Sequence, residues 1–205
     1  MIILCRSVKG GAGTTVTAAA LGLLLSARHR GGGHVVDLQG DMPAALGIAE
    51  PESAAACEVN SALRLLPRRI EDNASETQWL SLVTELQSLR GPVVVDAGTK
   101  LLGSALIDAA AASYLVTRPC YLALRRATTA IHRGGFVVDG CILVNEPGRA
   151  LTPNDVATVL RTPVRAEIPV DSTISRAVDA GLLAHRVPRA LDEGLADLIT
   201  EHGTK

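Results

Sequence analysis

Short β-rich runs and helical segments alternate along the chain, and that alternation restricts the possible folds more than any other feature. The runs fall at residues 2–5, 34–37, 92–96, 113–117, 137–144 and 164–168. Between them, apolar spacing predicts helices at 14–29, 76–89, 101–111, 121–132 and 153–160, with two more at 172–181 and 188–201. Such a pattern predicts an α/β fold, a mostly parallel twisted sheet of roughly six to eight strands with helices on both faces. Right-handed crossovers then bring the loops that follow the strands to one edge of the sheet, where α/β folds hold their ligands. At 205 residues the chain is long enough for a buried core and reads as one domain, 1–205. The stretches 54–56 and 67–75 read as mobile surface.

Composition removes several classes of function. The net charge of -1 gives no global field favouring nucleic acid or an anionic membrane. Aromatic residues make up 2%, too few for a base-stacking platform. Cys5, Cys57, Cys120 and Cys141 lie far apart and form no CxxC pair, which argues against a clustered metal site and for reduced thiols in a cytoplasmic protein. The first residues, MIILCRSVKGG, lack the basic start and long apolar stretch of a signal peptide. No segment has the uncharged length of a membrane span.

The stretch Ser7-Val8-Lys9-Gly10-Gly11-Ala12-Gly13-Thr14-Thr15 stands between the first predicted strand and the first predicted helix. Glycines there let backbone N–H groups close around phosphate oxygens, and the helix N-terminus adds the positive end of its dipole. A tight strand-to-helix turn without a ligand is the alternative reading of the same residues.

Lys-Gly-Gly-x-Gly-x-Thr in this position resembles the deviant Walker A loop of the ParA/MinD family of P-loop ATPases, KGGxGK(S/T). The resemblance implies that Gly10, Gly11, Ala12, Gly13, Thr14 and Thr15 bind ATP or ADP. It implies that Lys9 reaches the nucleotide of a partner subunit in a sandwich homodimer, and that the Thr15 hydroxyl helps to hold Mg²⁺. Thr14 stands where the family has its P-loop lysine, so a neutral hydroxyl replaces a cation at the β- and γ-phosphates.

The likeness extends along the chain. Val35-Val36-Asp37-Leu38-Gln39-Gly40-Asp41 is similar to the family's switch segment: Asp37 matches an Asp near the metal, and Gln39 stands at the water-orienting Asp. Pro92-Val93-Val94-Val95-Asp96-Ala97-Gly98 resembles the Walker B strand, whose Asp acts on Mg²⁺ through water. Asn145, ending Ile142-Leu143-Val144-Asn145, matches the Asn that reads adenine, although Asn is also a common turn former. Pro169 and Asp171, in Ile168-Pro169-Val170-Asp171, match the loop that closes over the base. A loop with the glycines but without the lysine is also similar to the TadZ/CpaE branch of the family.

These likenesses imply a nucleotide-promoted homodimer acting with a partner protein in a positioning or partition system, with very slow or absent hydrolysis. The acidic residues Asp192, Glu193, Asp197 and Glu201 make segment 189–201 a poor membrane helix. Arg125, Arg126, Arg133, Arg161 and Arg165 are candidates for non-specific DNA contact or, alternatively, solvated helix faces. A scaffold without nucleotide and an ATP-dependent synthetase on the same fold remain as alternatives.

Overall fold

The computed structural model describes residues 1–134 and 136–203. In chain order the elements are β1 (Ile2–Arg6), α1 (Thr14–Arg28), β2 (Gly33–Asp37), α2 (Met42–Leu46), β3 (Cys57–Glu58) and β4 (Leu63–Pro67). Next come α3 (Glu76–Ser88), β5 (Val93–Gly98), α4 (Ser104–Ala109), β6 (Ala112–Thr117), α5 (Tyr121–His132) and β7 (Gly140–Asn145). The chain continues through α6 (Pro153–Leu160), β8 (Val164–Pro169), α7 (Ser172–Asp179), α8 (Arg189–Gly194) and α9 (Ala196–His202). The eight strands form one sheet in the order β3-β4-β2-β5-β1-β6-β7-β8. Every neighbouring pair is parallel except β3 and β4.

Strand residues alternate between two covered faces. Ile3, Cys5, Val35, Val94, Tyr114 and Val116 pack with α1, α8 and α9. Ile2, Leu4, Val36, Val93 and Val95 meet Trp79 and Leu82 of α3 and Leu106 of α4. Further along that face, Leu115, Cys141 and Leu143 meet Leu124 of α5 and Val156 and Leu160 of α6. Burial on both sides is what lets these strands read as unbroken apolar runs. Because β1 lies between β5 and β6, the loop leaving it opens at the middle of the carboxyl edge.

Sequence and structure differ where tertiary contacts override local pattern. Strands β3 and β4 were not expected; Leu63-Arg64-Leu65-Leu66 is a short apolar run that periodicity cannot separate from a helix, and its pairing with β2 decides it. The strand expected at 137–144 begins at Gly140, because Val137 and Asp139 are engaged instead by Arg6 and Ser113. The helix expected at 101–111 shrinks to α4. Gly103 lies against Trp79, so close that a Cβ there would be 2.3 Å from the indole, and Ala111 already donates to Ile2. The last helix divides into α8 and α9 at Gly194, whose missing side chain allows close approach to the Glu167 carbonyl of β8. Segment 67–75 is tied at both ends, by the Arg68–Glu85 ion pair and by Ser75 in a capping box with Gln78.

Candidate functional site

The loop between β1 and α1 is held from below by the sheet. Ser7 N–H donates to the Gly98 carbonyl at 2.7 Å, and the Ser7 hydroxyl donates to the Lys9 carbonyl at 2.6 Å. Gly11 and Gly13 sit at φ 75° and 92°, left-handed conformations that an L side chain strains to adopt. Gly10 differs: its φ is not left-handed, and a Cβ there would meet no atom within 4 Å. Neither backbone nor packing requires a glycine at that position, and the space beside it is open. Helix α1 is 15 residues long, has no side-chain cap at Gly13 and carries no acid in its first turn. Its first N–H groups and the positive end of its dipole therefore face the loop unneutralised.

Beneath the loop, parallel pairing of β2 with β5 sets Asp37 beside Asp96. Asp37 is buried, and backbone N–H groups occupy both its oxygens: Oδ1 accepts from Gln39 (3.0 Å) and Gly40 (2.7 Å), and Oδ2 from Met42 (3.0 Å). This carboxylate folds the segment that leads into α2. Asp96 is fully buried; its Oδ1 accepts from Gly98 N–H at 3.1 Å, and its Oδ2 has no partner among the described residues. Burial pushes the Asp96 carboxyl up to about 6; the Thr15 hydroxyl and the Gly98 amide oppose the shift, and the charges of Asp37 and Asp41 add to it. Burial likewise pushes the Cys5 thiol far up, helped by Asp96, so it is an inert core thiol. Gln39 lies over Gly98, where an added Cβ would fall 2.4 Å from its Oε1.

Two cavities share one wall. The first, about 580 Å³, is lined by residues 9–16 of the loop together with Gln39, Asp41 and Gly98. Its only charged lining groups among the described residues are Lys9, Asp41 and Asp179. Lys9 Nζ bends back to the Gly10 carbonyl at 3.3 Å and has no acidic partner among the described residues. Thr14 is buried and brings no charge. The second cavity, about 500 Å³, is largely apolar and includes Arg118, Val144, Ile168, Pro169 and Asp171. Gly13, Val16, Val178 and Asp179 belong to both.

The predicted residues Lys9 through Thr15, Gln39, Asp37 and Asp96 thus gather at one point, with Pro169 and Asp171 alongside. Asp171 is committed to capping α7, accepting from Thr173 N–H at 2.6 Å. Among the described residues lining the second cavity, Asn145 is not found; its Nδ2 faces Glu167 at 3.4 Å. Of the five candidate arginines, Arg125, Arg126 and Arg133 line a separate cavity on α5, Arg165 pairs with Glu201, and Arg161 ends α6. Sequence reasoning missed Arg118, which pairs with Glu146, itself paired with Arg149. Its signal was position alone: a cation directly after a strand, at the carboxyl edge. Among the described residues no helix is long and apolar enough to cross a membrane, and no cluster of three or more His, Cys, Asp or Glu side chains could hold a metal.

No family model and no curated protein matches the sequence. Solved structures do match over nearly the whole chain. A ParA family ATPase from Chlorobium tepidum TLS is 18% identical with a TM-score of 0.81, covering 97% of each chain. The septum site-determining protein MinD from Pyrococcus horikoshii OT3, complexed with Mg-ADP, is 20% identical with a TM-score of 0.77, covering 98% of this chain and 94% of that one. A MinC:MinD cell division protein complex from Aquifex aeolicus matches at 16% identity and a TM-score of 0.73, covering 98% of this chain and 94% of that one. The structural neighbours are ParA/MinD family ATPases, and the chain has their α/β P-loop fold.

Proposed function

We propose that this chain is a nucleotide-binding switch of the ParA/MinD kind with a degenerate phosphate loop, acting as one domain in a positioning or partition system. The observation that carries the reading is the uncapped α1 N-terminus and its glycine loop, set directly above a buried Asp96 whose Oδ2 has no partner. The open space at Gly10 supports it, because a bound phosphate accounts for a glycine that neither φ nor packing explains.

Mg²⁺ fits this donor set. The ion binds through one or two protein oxygens, phosphates and water rather than an all-protein cage. The Thr15 hydroxyl and the orphaned Asp96 Oδ2 would serve it, Asp96 through water, and Asp37 would hold the neighbouring segment in place. When bound, the ion neutralises charge on the phosphates. The chain's own contributions are distinct. Loop N–H groups and the α1 dipole bind phosphate oxygens, and the second cavity takes the base, with Pro169 and Asp171 in its lining. Lys9, unengaged by any acid among the described residues, is free to cross to a second copy. Isologous two-fold pairing makes that exchange mutual.

Thr14 and Gln39 leave the reaction short of a cation and of a water-orienting carboxylate, so turnover is very slow or absent. Affinity survives in reduced form. Losing one charge-assisted contact weakens binding about ten- to a hundredfold. Calorimetric titration with Mg-ATP and light scattering test the reading together. Binding in the micromolar to sub-millimolar range is expected, with ATP-promoted dimers that Lys9→Ala weakens while remaining folded. No heat at millimolar ATP would make the chain a scaffold, and an assembly indifferent to ATP and Lys9 would remove the switch.

A further inference from the structure

The first cavity is short of positive charge. A nucleotide's phosphates would enter it against Asp41 and Asp179, with Lys9 as the one cation among the described lining residues and Thr14 neutral. A second cation stands just across the shared wall. Arg118 follows the last residue of β6 and lines the second cavity, as does Gly13, the residue at the helix N-terminus that borders both spaces.

The chain holds Arg118 in place through a carboxylate that it shares with a second guanidinium. Its Nη1 donates to Glu146 Oε1, and Arg149 occupies Glu146 Oε2. The guanidiniums of Arg149 and Arg118 hold the Glu146 carboxyl below the usual carboxylate range. Two guanidiniums against one carboxylate leave this ion-pair group with a surplus positive charge, and Arg118 is the one cation among the described residues lining the second cavity, where Asp171 and Asp179 are the acids. Arg118 Nε is buried and has no partner among the described residues, so the protein leaves part of this donor fork unsatisfied. A guanidinium fixed at one corner and open elsewhere is preorganised for phosphate, which a flexible ammonium would not be.

We propose that Arg118 is a nucleotide-binding residue, contacting the sugar-proximal phosphate where the two cavities meet, with Glu146 as the residue that positions it. The proposal rests on the nucleotide reading above. It moves the electrostatic anchor of the ligand from the β- and γ-phosphate end, where Thr14 offers nothing, to the end nearest the base. A distinctive consequence follows. Part of the discrimination between a nucleotide and its nucleoside then depends on Arg118, whereas affinity for the nucleoside does not.

Titration of the full chain with Mg-ADP and with adenosine separates the outcomes. Arg118→Ala is expected to weaken ADP about ten- to a hundredfold while adenosine stays within about threefold. Arg118→Lys should recover part of the ADP affinity, and Thr14→Lys in the Arg118→Ala background should recover it from the other end. Unfolding midpoints serve as the control; should Arg118→Ala fail to fold, Arg118→Lys and Glu146→Gln carry the same ADP-over-adenosine ratio. Wild type that binds ADP while Arg118→Ala binds it equally well overturns this proposal alone. Equal loss of ADP and adenosine assigns Arg118 a structural role and also overturns it. Wild type that binds neither at millimolar concentration overturns the nucleotide reading and the proposal together.

Discussion

At the β1–α1 end of the cleft, the groups suited to an anion belong to the backbone: glycines at φ 75° and 92° and an uncapped helix start, with a carboxyl that has one unpartnered oxygen beneath. At the β6–β8 end they are side chains: Arg118, Glu146 and Arg149 joined by ion pairs, with Arg118 lining the second cavity. On the proposed reading the first is the constant part of the phosphate site, since backbone N–H groups persist whatever side chain replaces Thr14. The second is adjustable, since a single substitution adds or removes its charge. On that reading the site lacks a catalytic cation at one end and keeps its ligand through the other. Binding and hydrolysis need not decline together, because hydrolysis demands charge at the transferring group and binding accepts it anywhere along the ligand.

The comparison is most exposed at the catalytic end. Thr14→Lys combined with Gln39→Asp is expected to raise phosphate release by about 10²–10³-fold, the scale of one restored preorganised group or more. Wild type already as fast as the double variant would show that these positions are not the missing parts. A folded, ATP-binding double variant that stays inactive would redirect attention to Asp41.

The next effect sharpens what the floor of the site costs the empty protein. Asp96 is pushed from 3.8 up to about 6, chiefly by burial. The folded protein then keeps this proton after the unfolded chain has released it. The sign follows: the stabilising contribution is complete below the unfolded value and is lost as pH rises through about 6. Asp96→Asn removes the titration. Urea unfolding should therefore find the variant gaining on wild type between pH 4 and pH 7, by up to about 3 kcal/mol. A difference that does not change with pH would mean that Asp96 does not titrate as its burial demands.

The smallest effect concerns Asp41 and Asp179, both exposed at the phosphate end. Replacing either with Asn should strengthen ADP binding by at most about fivefold. The gain should shrink as salt is added. Gains that persist in high salt would indicate a direct contact rather than removal of a repelling charge.

Much of this was readable from residue order. Apolar runs located β1, β2, β5 and β6 to within a residue or two, because strands buried on both faces need no subtle pattern. The glycines of the first loop marked a turn between β1 and α1, and two of them, Gly11 and Gly13, take the positive φ that few other residues adopt. Short elements escaped. Strand β4 and helix α2 are five residues each, too brief for periodicity, and exist because β2 and the Asp37 carboxylate recruit them.

What the sequence by itself determined is the local menu: which of the longer apolar runs extend, which periodic segments coil, and which glycines leave the backbone free to turn left-handed. What only the tertiary structure decided is juxtaposition. Asp37 lies beside Asp96 because β2 pairs with β5 across more than fifty residues of chain, and that neighbourhood helps set the Asp96 proton affinity. Asn145, at a strand end, faces Glu167, whereas Arg118, with no motif to mark it, lines the same cavity as the glycine that precedes α1. Backbone conformation is encoded in each residue's own sterics, while charge and burial depend on neighbours that only the strand order supplies.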